Sequence, residues 1–198
     1  MHKFDLGETV MKKYFPGLLV LLFLWVNMCV ASATANPVPE PRFEVRGSFH
    51  VMGISLRDNF EPTAKMRVWI DLYRVQSAIP NVVPGAEYAV TYYAQDYDPS
   101  TQKGIVFLVG NEVSSPDDIP TGVTLRTVPA ATYAVFEHHG SMESVQETYN
   151  YIFSDWMKKH KVRPLGQDIF ERYDSRFSFE SEESVLEIWV PVPEAKTP

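Results

Sequence analysis

The chain has 198 residues, of which 45% are hydrophobic and 22% charged, with a formal charge of −7 and a pI near 5.2. Those proportions exclude a disordered or collagen-like chain. The acidic balance leaves no basic footprint for a phosphate backbone, so nucleic acid is not an expected partner, and the length suits one compact domain.

The first 35 residues read as a secretory signal peptide: Lys12 and Lys13 form the positive region, Leu18 to Trp25 the apolar run, and Ala31-Ser-Ala-Thr-Ala35 an A-x-A site. Met11 is an alternative start, because residues 1–10 add two acidic side chains and nothing such a peptide uses. Tyr14 to Val30 is also about as long as the shortest membrane spans. An uncleaved anchor, or a lipid on Cys29, is therefore the competing reading, and membrane association is expected only in those cases. With cleavage near Ala35 the protein is exported, periplasmic or secreted, and retains no cysteine for a disulfide.

Residues 36–42 (Asn-Pro-Val-Pro-Glu-Pro-Arg) form a proline-rich tether without periodicity. From Phe43 to Leu56 apolar and polar residues alternate, which predicts a strand with Gly47 or Gly53 as a bulge. Asn59 to Pro62 turns the chain. Thr63 is a candidate cap for a helix in which Met66, Trp69, Ile70 and Tyr73 recur at three- and four-residue spacing, and Pro80 and Pro84 end it. Tyr88 to Tyr97 and Ile105 to Val113 predict a hairpin around the turn from Asp98 to Gly104.

A loop follows from Ser114 to Gly122, then a strand from Thr124 to His138 interrupted at Pro129 and Ala130-Ala131. Ser141 is the expected cap of a second helix. Its apolar stripe is Val145, Tyr149, Ile152, Phe153, Trp156 and Met157, with Lys158, Lys159 and Lys161 at its C-terminal end. Pro164 and Gly166 break that helix, Gln167 to Phe177 and Val185 to Val192 are the last strands, and residues 194–198 are a tail. The order strand, helix, hairpin occurs twice, over about 43–114 and 123–193. This predicts an α+β fold of duplicated β-α-β-β units: an antiparallel sheet, two main helices packed on one side, and a central groove between the repeats for a ligand.

Glu171 is the leading candidate site residue. Strand alternation sets it on one face with Ile169 and Tyr173, where a carboxylate meets a ligand cation or acts as a general acid or base. The competing arrangement is a Glu in water paired with Arg172 or Arg176. Trp69, Tyr93, Tyr149 and Trp189 are candidates to line the site and stack on planar or cationic ligands, although each also sits where a core residue belongs. Trp156, in the middle of the helical stripe, is expected in the core. His138 and His139 point opposite ways on a strand without an accompanying Cys or His-x-x-x-His. No metal is therefore expected, and His138 is expected to hydrogen-bond around the Gly140 turn. Without a Gly-x-Ser-x-Gly, P-loop or Gly-x-Gly-x-x-Gly motif, no cofactor is implied.

Several stretches together resemble the GyrI-like small-molecule-binding domain, also met as the effector-binding domain of AraC-type and MerR-type regulators. They are Tyr133-Ala-Val-Phe-Glu-His-His-Gly140, the helix carrying Tyr149 and Trp156, Phe170-Glu-Arg-Tyr173, Glu187-Ile-Trp-Val-Pro-Val192, and in the first half Met66-Arg-Val-Trp69, Ile79-Pro-Asn81 and Phe107 to Val113. The resemblance runs from about Phe43 to Val192. It implies a groove lined by aromatics around one acidic residue, a role that falls on Glu171, and a hydrophobic, aromatic or cationic small molecule as partner. Some free-standing members hydrolyse strained cyclopropane-containing compounds, which would make Glu171, helped by Tyr173, catalytic on a strained or electrophilic molecule. A similar duplicated fold in SOUL-type haem-associated proteins adds an envelope-associated accessory or haem-binding reading, without singling out an axial His. The family is mostly cytoplasmic and its regulators carry a DNA-binding domain, whereas this chain is expected to be exported and to lack room for one.

Overall fold

The computed structural model describes residues 38–162, 167–179 and 181–193. The expected signal segment with Cys29, the start of the tether, the breaks at Pro164 and Gly166, and the tail lie outside the described residues.

In chain order the elements are β1 (Arg42–Arg46), β2 (Phe49–Arg57), α1 (Pro62–Val75), a short 3-10 turn (Gln76–Ala78), β3 (Val82–Asp98), β4 (Lys103–Val113), β5 (Thr124–Val128) and β6 (Ala131–His139). Then come α2, built of the consecutive segments Val145–Asn150, Tyr151–Trp156 and Met157–His160, followed by β7 (Ile169–Asp174) and β8 (Val185–Val192). One curled, wholly antiparallel sheet has the order β1-β6-β8-β7-β3-β4-β2-β5. β2-α1-β3-β4 and β6-α2-β7-β8 occupy mirrored positions in it, so the fold is the expected duplication, with β3 and β7 adjacent at its centre.

The strand expected from Phe43 to Leu56 is broken at Gly47 and Ser48 into β1 and β2, and the interrupted strand of the second half splits at Pro129 and Ala130 into β5 and β6. Each repeat gives its first strand to the other: β1 pairs with β6, and β5 pairs with β2. The bulge expected at Gly53 does not form. Gly53 lies directly opposite Gly110 in an unbroken register. A Cβ on Gly53 would sit 1.8 Å from the Val109 carbonyl oxygen, and one on Gly110 2.2 Å from that of Met52, so glycine is what allows β2 and β4 to approach.

Two helix starts also differ from expectation. Glu61 caps α1 and Pro62 occupies its first turn, because the fixed φ of proline suits that position, leaving Thr63 inside the helix. Ser141 does not cap α2; its carbonyl accepts His138 Nε2 and Ser144 Oγ, both at 3.0 Å, and the helix begins at Val145. His138 Nδ1 also meets Thr148 Oγ1 at 2.8 Å, so this histidine ties β6 to the turn and to α2 as expected.

The middle of α2, Tyr151–Trp156, is a π-helical turn, which takes one more residue per turn and shifts the phase of the stripe. Ile152 and Trp156 are buried against the sheet, while Phe153, expected inward, is turned out to 42% exposure. Both helices cover one face of the sheet, where Met52, Leu72, Phe136, Ile152, Trp156 and Ile188 form a core. The opposite face holds a second core around Phe49, Tyr88, Tyr133, Phe170 and Trp189. Burying both faces is what allows a curled sheet of this size to hold together without a disulfide.

Candidate ligand-binding seam

β3 and β7 meet in register with Ala89 opposite Glu171 and Glu87 opposite Tyr173. Alternation along β7 sends Phe170 to the core of the far face and Glu171 and Tyr173 toward the helices. Three elements converge on the Glu171 carboxylate. Tyr149 of α2 donates its hydroxyl to Oε1, and Tyr173 donates to Oε2 at 2.5 Å. Trp69 of α1 packs edge-on against Tyr173, with ring centroids 4.9 Å apart at 73°. Glu171, Tyr149, Tyr173 and Trp69 are thus brought together as the sequence suggested.

The rival pairing of Glu171 with arginine is not made. Arg172 lies on the opposite face and bonds Asp174 at 2.7 Å and Glu187 at 3.1 Å, and Arg176 bonds Glu137 at 2.8 Å and Glu187 at 2.6 Å. Burial, and then the negative charge of Glu171, push the hydroxyls of Tyr149 and Tyr173 well above the ordinary phenol range, which keeps both protonated as donors. Among the described residues the carboxylate therefore has neutral donors and aromatic surroundings and no cationic partner.

Two of the sequence candidates are not brought to this cluster. Glu171 pairs with Ile188 across β7 and β8, so the neighbouring Trp189 points to the other face. There it stacks on Phe170 at 5.1 Å and donates Nε1 to Glu187 at 3.1 Å. Tyr93 lies four residues beyond Ala89 on β3, about 13 Å along the strand, and packs on Tyr97 at 4.2 Å. Trp156 is in the core, as expected, edge-on to Phe136 at 5.0 Å.

Glu87 escaped the sequence reading. It accepts the Tyr73 hydroxyl at 3.0 Å and Gln76 Nε2 at 2.9 Å, and Gln76 also reaches Asn111 Oδ1 at 3.3 Å. Tyr73 was legible as an inward helix residue, one turn from Trp69. Which way Glu87 faces follows only from the pairing of β3 with β7. Phe153, on the solvent side, stacks parallel to Tyr149 with centroids 5.9 Å apart. Two surface hollows lie away from the seam. One of about 290 Å³ is bordered by Phe43, Trp156, His160 and Val192; another of about 510 Å³ lies between α1 and β2 beside Ile54, Leu56 and Arg67.

The fold is a duplicated α+β unit with aromatic rings gathered around a carboxylate at the seam of its repeats. The chain belongs to the GyrI-like small molecule binding domain family, whose sequence model matches residues 39–193. It is 28% identical over 109 residues to the transcriptional regulator BrlR of Pseudomonas aeruginosa, a match covering 50% of this chain and 40% of the length of BrlR. Among solved structures, SAV2435 bound to tetraphenylphosphonium superposes with a TM-score of 0.62 at 18% identity, covering 79% of this chain and 95% of that one. The C-terminal domain of EcmrR superposes with a TM-score of 0.53 at 18% identity, covering 79% and 98%. At such identities the structural likeness is one of fold.

Proposed function

We propose that this protein captures a hydrophobic, aromatic or cationic small molecule at the seam between its repeats, outside the cytoplasm, with Glu171 as the counter-charge. The observation that carries this reading is the contrast between the two faces of the sheet. Glu112, Asp168 and Glu187 on the far face each pair with arginine, while half-buried Glu171 is held, among the described residues, by two phenols. A bound cation supplies the missing positive charge and lies against Trp69, Tyr149 and Tyr173. The cation bound by SAV2435, a protein of the same fold, supports this ligand class.

Capture is favoured over hydrolysis by the same geometry. Both carboxylate oxygens of Glu171 already accept phenolic protons, and those phenols are held protonated, so neither partner is poised to move a proton. The export part of the reading rests on Lys12-Lys13, the Leu18 to Trp25 run and the Ala31 to Ala35 site.

Titration of tetraphenylphosphonium into the purified protein tests the site. The wild type binds, and Glu171→Gln weakens binding about tenfold or more, as loss of a charge contact worth ~1.4 kcal/mol requires, with the compound recovered intact. Unchanged affinity in that variant overturns the reading, and time-dependent product from an electrophilic compound, lost in the variant, replaces it with hydrolysis. N-terminal sequencing of protein from the periplasm or medium tests export: a mature start at Asn36 is expected, and full-length cytoplasmic protein overturns it.

A further inference from the structure

Resting on the proposed reading of the seam, we infer that it is a two-charge site. Glu87 is a second, specificity-determining carboxylate, and the preferred ligand carries two cationic centres joined by a short apolar or aromatic segment. The pairing of β3 with β7 sets Glu87 opposite Tyr173 and Ala89 opposite Glu171, so both carboxylates emerge on the helix side of neighbouring strands, displaced by two residues. Such diagonal positions stand about 7–8 Å apart.

The surroundings of the two carboxylates match. Glu171 takes a hydroxyl from Tyr149 and one from Tyr173; Glu87 takes a hydroxyl from Tyr73 and an amide from Gln76. Among the described residues neither has a basic partner. Elsewhere in the same sheet, Arg126 grips Asp168 with two bonds of 2.6 and 2.8 Å, and Arg46 holds Glu112 at 2.7 Å. Two like charges this close repel each other, and neutral donors do not remove that repulsion. A single bound cation compensates one of them; a dication compensates both.

Trp69 links the two halves of the site. Its ring lies 4.9 Å from Tyr173, a donor to Glu171, and 6.3 Å from Tyr73, a donor to Glu87. An apolar segment between two cationic centres therefore crosses the indole while its ends reach the two carboxylates.

Calorimetric titration of the full chain with p-xylylene-bis(trimethylammonium) and with benzyltrimethylammonium tests this. The wild type is expected to bind the dication about tenfold tighter than the monocation. Glu87→Gln, which keeps an acceptor for Tyr73, abolishes the preference for the dication, so that the two compounds bind alike; Glu171→Gln weakens both. Equal affinity of the two compounds in the wild type, or a preference that survives Glu87→Gln, overturns the inference, and monocation binding that depends on Glu171 then leaves the proposed function standing. Absence of binding by either compound overturns both readings. The wild-type comparison stands even if the Glu87 variant does not fold, and Glu87→Asp provides a second variant in which the dication preference is retained in reduced form.

Discussion

Tyr149, carried by α2, donates its hydroxyl to Glu171, in the middle of β7, so the residue proposed to meet the ligand also fastens a helix to the sheet. Tyr173 shares the duty from the strand itself. Tyr149→Phe and Tyr173→Phe each take one donor from a half-buried charged group and should cost ~1–3 kcal/mol. Urea unfolding of both single variants and the double variant measures this. Because the hydroxyls serve one carboxylate, the double loss should depart from the sum of the single ones by about 0.5 kcal/mol or more.

The same phenols give an alkaline signature. Burial and then Glu171 raise their folded pKa well above the unfolded value of 10.0. Their contribution to stability is complete below about pH 10 and falls as pH rises beyond it, since the unfolded chain releases those protons more readily. Phenolate absorbance should therefore show Tyr149 and Tyr173 silent until the protein unfolds at high pH, whereas the Phe variants lose a silent group each. Smooth titration of all tyrosines in the folded protein would contradict this.

On the far face, Glu187 predicts the acid behaviour. Burial pushes its pKa up, but the bonds from Trp189, Arg176 and Arg42 and the charge of Arg42 outweigh burial, so the folded pKa lies below the usual 4.5. A depressed carboxylate contributes its stability above the unfolded pKa and loses it as pH falls through the folded one. Stability should thus decline below about pH 4.5. Glu187→Gln should lower stability near neutrality by ~1.5 kcal/mol, because the bonds from Trp189, Arg42 and Arg176 to a buried carboxylate are weakened, and should flatten the acid decline. Denaturant midpoints across the acid range are the measurement.

Gly110→Ala is expected to be severe. The added methyl would meet the Met52 carbonyl at 2.2 Å and Gly53 Cα at 3.0 Å, both backbone atoms of a paired strand that cannot step aside alone. A loss of ~3 kcal/mol or more, seen as a lowered melting temperature or insoluble expression, is predicted. Phe153→Ala, at a position 42% exposed, should change stability little, read as a nearly unchanged melting temperature.

Much of this architecture was legible in the residues. Strand alternation and the two helical stripes gave the repeated order, and the hairpin around Asp98 to Gly104 and the last strand, Val185–Val192, stand where the pattern placed them. The exchange of first strands was not legible, because Gly47-Ser48 and Pro129 mark where a strand stops and say nothing about its distant partner. The site divides along the same line. Glu171, Tyr173, Tyr149 and Trp69 follow from parity on their own elements together with the family resemblance. Trp189 and Glu87 depend on how β8 and β3 are aligned with β7, and one residue of register reverses the face of each.

That exchange of β1 and β5 has a kinetic consequence. Neither repeat is complete until both chain segments have crossed to the opposite edge, so the contacts that close the fold are among the most distant in sequence, and assembly should be slow for a domain of this size. A chain cut in the loop between β4 and β5 yields two fragments that each expose the edge meant for the other's first strand. A ligand that binds only the folded seam would therefore hold the whole interlocked domain against unfolding.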